Sequence, residues 1–118
     1  MAARDVDLVL FEAGGRRWAA DAWDVVRVAR RQAKGASAFL VPSDGVRVLV
    51  VRGEAGEVQV PIDRLLGFER VSANTLRPMP AFAQQLTSPA VVGAWLSPRE
   101  IVLLIDLLAL VKQSASRT

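Results

Sequence analysis

Four aspartates, Asp21, Asp24, Asp63 and Asp106, are the residues of this 118-residue chain whose type best suits acid–base chemistry. General acid–base catalysis also needs a second group placed to exchange the proton. The usual partner is missing, because the chain contains neither histidine nor cysteine. Their absence removes the commonest general base, the thiol nucleophile and the imidazole and thiolate metal ligands. Ser37, Ser72 and Ser97 have no histidine to activate them. Asp21 and Asp106 stand where helices are expected to begin, and capping of the first turn explains them. Nothing marks a carboxylate pair for glycoside chemistry. The glycines of "AGGR" and "GEAGE" lack phosphate-loop spacing and read as turns. The residues therefore point to a binding module, with no enzyme activity, cofactor or small-molecule substrate expected.

Binding residues are easier to find. Trp18, Trp23 and Trp95 read as core or interface anchors. Arg27, Arg30, Arg31 and Lys34 are the one local excess of charge in a chain of net charge +3. They form either a solvated face or a docking patch for an acidic partner. A basic β-barrel that binds nucleic acid is the competing reading, and no aromatic lies within the run to stack on a base.

The elements that must position these residues are mostly strands. "DLVLFE" and "RWAA" flank two glycines able to take the positive φ of a tight hairpin turn. In "DAWDVVRVARR", Asp21 can cap a short helix with Asp24, Arg27 and Arg31 on one stripe, while Val26 to Ala29 suit a strand equally well. Residues 35–45, with Gly35, Pro42 and no periodicity, read as a linker. "GVRVLVVRG" suits a strand covered on both faces, and "VQVPI" returns with Val58, Val60 and Ile62 on one side. Pro61 supplies no ladder donor, which argues for an edge or a strand end there. "DRLLGFERV" opens as a helical turn broken by Gly67, and Ser72 is expected to cap a turn in "SANT". Pro78 and Pro80 stiffen the elbow "LRPMPAF". "VVGAWL" and "IVLLI" form a hairpin through "SPRE", Asp106 caps a final short helix, and the tail "QSASRT" is expected to fray. The opening "MAARDVDLVLF" meets acids before any apolar run forms, and "IVLLIDLLALV" is too short to span a bilayer. A cytoplasmic protein without membrane insertion is expected.

From Val46 onward the chain resembles a CheW-like chemosensory coupling domain. The strand pair, "PIDRLLGFERV", "LRPMPAF" and the closing "VVGAWLSPREIVLLIDLLALV" carry the likeness, and the first hairpin with "DAWDVVRV" is similar to that family's beginning. The resemblance implies a mainly β fold of two small SH3-like barrels around a shared core, with short helices. It implies one CheW-like domain over 1–118: a first hairpin and short helix over 7–34, a shortened linker over 35–45, and a second part with closing hairpin and helix over 46–112. The family carries a longer segment, with an Asn-Leu-Arg-Gly turn, where this chain has only the linker, so one barrel is expected to be incomplete. An alternative register makes "LVVRGEAGEVQVPID" that turn region itself.

What the family binds is likewise an expectation. CheW-like proteins link the cytoplasmic tip of a methyl-accepting chemoreceptor to a CheA-type histidine kinase and contact companion CheW-like proteins. At matched positions, Val25 and Val28 would line one wall of a receptor groove, and Val50, Leu66 and Phe68 the other. Each also fits a plain core role, Val50 above all. Arg27 stands where the family often has an acid, so it either faces solvent or turns an attraction into a repulsion. Kinase contact is therefore doubtful. The alternatives are an ordinary receptor–kinase coupling protein and, from another class, the nucleic-acid-binding barrel.

Overall fold

The computed structural model describes residues 4–80 and 88–115. Strand β1 (Asp5–Ala13) turns through Gly14 and Gly15, at φ 63° and 75°, into β2 (Arg16–Asp21). The Ala13–Arg16 pair closes the hairpin. On its other edge β1 pairs antiparallel with β7 (Arg64–Ser72). The helical turn expected at Arg64 to Gly67 is therefore replaced by strand. The register steps from Leu10–Gly67 to Phe11–Leu65, leaving Leu66 as the extra residue of a bulge. Gly67, at φ 146°, lets the strand absorb it. A local helix would have left the backbone groups on this edge of β1 unpaired.

The chain ends its strands with β8 (Leu76–Pro78), β9 (Val91–Leu96) and β10 (Ile101–Ile105). The first sheet runs β7-β1-β2-β10-β9-β8. Its two edge strands curl round a common core, with Val71 of β7 and Leu76 of β8 in one cluster with Leu8, Ala19, Trp95 and Val102. The sheet is thus curled into a barrel. Strand alternation sends the intervening residues Val9, Phe11, Trp18 and Ala20 to the opposite face.

The second sheet, β3-β5-β6-β4, contains β3 (Val25–Arg30), β4 (Ala36–Ser37), β5 (Arg47–Gly53) and β6 (Gly56–Ile62). Val48, Leu49, Val50 and Val51 are all at most 3% exposed, as a strand covered on both faces requires. Leu49, Val51, Val60 and Ile62 meet the first sheet's outer face in a shared core, joined by Leu107, Leu110 and Val111 of the closing helix α1 (Leu107–Ala115). Asp106 caps α1, its Oδ1 accepting from the Ala109 N–H at 3.1 Å. Pro61 is buried opposite Val48, beyond Gln59 where the pairing of β4 stops. Its missing donor is harmless there.

The linker expectation needs correction. Residues 35–45 contain β4, parallel to β6, and Ala38 is fully buried. The Gln59 side chain accepts from the Gln32 N–H at 2.6 Å and donates to the Gln32 carbonyl at 3.1 Å. Asp63 accepts from the Gly14 N–H and the Ser43 hydroxyl, tying the first hairpin to this segment. Small residues hid these contacts from the sequence, because they fit beneath neighbouring side chains without showing a period.

Two smaller differences follow from local hydrogen bonding. Ser72 occupies a cap position, but its side chain makes no capping bond; Thr75 instead donates to the Ser72 carbonyl at 2.6 Å. The elbow is partly an edge strand, with Pro78 opposite Gly93 and the Met79 N–H donating to the Val92 carbonyl. Its last residues, Ala81 and Phe82, lie outside the described residues, as do the chain's first three and last three. Within the tail expected to fray, α1 continues to Ala115 and Ser114 donates to the Ser37 carbonyl.

Candidate functional site

Between the sheets, β2 crosses into β3 through a single 3₁₀ turn, Ala22–Asp24. Of the two conformations the sequence allows after Asp21, the chain takes one helical turn and then strand. Asp21 Oδ1 accepts from the Trp23 N–H at 2.9 Å and fixes that turn. Its geometry throws Trp23 outward, where it is 82% exposed. The ring is nevertheless oriented. Its Nε1–H donates to Asp7 Oδ2 at 3.2 Å, while Asp7 Oδ1 accepts from Arg70 Nε at 2.9 Å. The Arg70 hydrogen bond holds the Asp7 carboxyl below its usual range.

Trp23, Val25 and Phe68 share one concavity of about 560 Å³, with Asp7 and Arg70 at its rim. Val25 comes from the second sheet and Phe68, 60% exposed, from the first. The concavity is a seam between the sheets, apolar at its centre and charged at its edge, which is the pattern of a protein-docking surface.

The six residues singled out from the sequence separate into five environments. Val25 and Phe68 come together in this seam. Val28 packs partly buried against the shared core. Val50 is 3% exposed and faces the interior, where only a neighbouring side chain can touch it. Leu66, displaced by its bulge, lines a different concavity of about 320 Å³ with Trp95 and Pro98. Arg27 is exposed on β3 and gripped by Glu57, its two terminal guanidinium nitrogens each donating to one carboxylate oxygen at 2.8 Å. Each raises or lowers the other's pKa in the expected sense, Glu57 falling and Arg27 rising through that hydrogen bond. The exposure of Trp23 was the signal least visible in sequence; a tryptophan between Asp21 and Asp24 in a capped turn was its only trace.

The remaining chemistry is structural. The basic run is dispersed: Arg27 is paired with Glu57, Arg31 lies 5.2 Å from the centre of the Phe39 ring, and Arg30 faces Arg47 across the ladder. Asp21 and Asp106 cap, and Asp63 braces. Partial burial, with the charges of Asp21 and Asp106, pushes the Asp24 carboxyl up. Among the described residues no cluster of acids is placed to hold a metal ion, and no helix is long and apolar enough to cross a membrane.

A barrel and a second sheet on a shared core, with an open seam between them, define a CheW-type fold. The scaffolding protein TtCheW from Thermoanaerobacter tengcongensis superposes with a TM-score of 0.75 over 91% of this chain and 92% of that one, at 13% identity. No family model matches the sequence. The Frizzy aggregation protein FrzB of Myxococcus xanthus is 31% identical over 104 residues, covering 86% of this chain and 91% of FrzB. The chain belongs to the CheW-like family represented by these proteins.

Proposed function

We infer that the protein is a non-enzymatic adaptor of a bacterial chemosensory array, working in the cytoplasm. It binds the cytoplasmic tip of a methyl-accepting chemoreceptor, a companion CheW-like protein, or both, and its contact with the CheA-type kinase is weakened or lost. The observation that carries the adaptor reading is the seam in which Trp23, Val25 and Phe68 form an open apolar surface. An amphipathic helical hairpin can bury its ridge there, at about 25 cal/mol per Å² of apolar area before ordering costs. The weakened kinase contact is supported by the second sheet, whose outer strand β4 has only two residues.

Pull-downs with the receptor tip, a companion CheW-like protein and the kinase regulatory domain test both halves. Trp23→Ala and Phe68→Ala should each weaken receptor or companion binding by roughly 2 kcal/mol, about thirtyfold, with unchanged thermal stability. Tight, stoichiometric binding of the kinase domain would overturn the second half. That outcome would favour an ordinary receptor–kinase coupling protein. One observation supports this second reading: residues 35–45 pack as part of the fold, with Ala38 fully buried, and so stand in for missing barrel structure.

A further inference from the structure

The outer face of the β9–β10 ladder is covered by the shared core at one end, through Val91, Leu103 and Ile105, and bare at the other. At the bare end Leu96 and Ile101 stand directly opposite each other across the strands, 39% and 70% exposed. Ile101 forms part of a concavity of about 680 Å³ whose walls include Arg16, Arg17, Arg99 and Glu100. The charges in it do not balance. Arg17 occupies Glu100 at 2.7 Å, and the nearby Glu12 faces Arg64 at 3.8 Å. Arg16 and Arg99 have no acidic side chain within ion-pair distance among the described residues.

We propose that this surface docks an acidic segment of a partner protein, which sets an apolar side chain on the Leu96–Ile101 pair and carboxylates on Arg16 and Arg99. The guanidinium fork matches a carboxylate in shape as well as charge. An apolar pair inside an arginine rim has the composition of a protein interface. Glu12 and Glu100 count against a phosphate-dense surface such as a lipid headgroup layer or DNA, which would meet these acids along with the arginines. A protein segment can place its residues between them. The surface lies near the Glu12 end of β1 and the Trp23 seam near the Asp7 end, about 17 Å apart along the strand. One molecule can therefore hold two partners at once.

The test is an NMR titration of the isotopically labelled full chain. The probe is an amphipathic helical peptide whose polar face is all glutamate, with a lysine counterpart, anionic vesicles and duplex DNA as comparisons. Amide shifts should gather at Arg16, Arg99 and Ile101 and fade with added salt. The double variant Arg16→Glu/Arg99→Glu and the single variant Ile101→Ser should each weaken the glutamate peptide by about tenfold, and Arg30→Gln, on the second sheet, should leave it unchanged. If the double reversal fails to fold, Arg99→Gln carries the same readout. Absence of binding, shifts that map elsewhere, equal binding of the lysine peptide, or preference for vesicles or DNA would each overturn the proposal.

Discussion

Asp7 orients two side chains of the seam, the Trp23 indole and the Arg70 guanidinium, with its two oxygens. Its stabilising contribution has a definite pH dependence. Arg70 holds Asp7 below 3.8, and Arg27 holds Glu57 below 4.5. Both contributions are complete above those unfolded values and disappear as pH falls through the lower folded ones. Asp24 has the opposite sign. Burial, then the charges of Asp21 and Asp106, raise it above 3.8, so its ionised form destabilises the fold and protonation relieves the cost. Urea midpoints measured from pH 7 downward should show Asp24→Asn more stable than the parent at neutral pH, with the advantage shrinking in acid. Asp7→Asn should flatten the parent's acid limb. In the core, Phe11 is fully buried, and Phe11→Ala should cost about 3–5 kcal/mol by chemical denaturation. These core residues were legible as apolar positions on alternating strands. Trp23 was not, because its exposure depends on where the chain crosses between sheets.

Elements were readable where turn chemistry and alternation agreed. The Gly14–Gly15 hairpin, the β5–β6 pair, the β9–β10 hairpin and the Asp106 cap all carried local signals. The bulged β7 did not, because its strand state is imposed by the long-range ladder with β1. Propensity alone favoured a turn before Gly67. The segment around β4 was missed for a similar reason, as its pairing with β6 lies far away in sequence. Two substitutions probe the elements. A Cβ at Gly93 would fall inside contact distance of the Arg77 carbonyl oxygen, and neither backbone can yield without loosening the β8–β9 ladder. Gly93→Ala should therefore destabilise by about 2–4 kcal/mol and open β8 to hydrogen exchange. Asp106→Ala removes the cap of α1 and should cost about 1 kcal/mol, read as a lowered urea midpoint.

At the scale of the whole molecule, the shared core draws on both sheets and on α1, so neither sheet can lose its partner and keep its apolar face covered. Unfolding should be a single transition. Tryptophan fluorescence, which reports Trp18 and Trp95 in separate clusters, should coincide with far-ultraviolet circular dichroism. A biphasic curve would show that the sheets are energetically separable. The family resemblance was legible because its motifs lie in the elbow and the closing hairpin and helix. The seam's geometry was only partly so, since it depends on two strands that are distant in sequence.

The order in which the chain visits its sheets has an evolutionary corollary. The second sheet is an insertion between β2 and β7, and those flanking strands are both laced to β1, one on each side. Length can therefore drift in the turns of the insert while the β7-β1-β2 ladder persists, but the insert's strands must stay, because they cover the shared core.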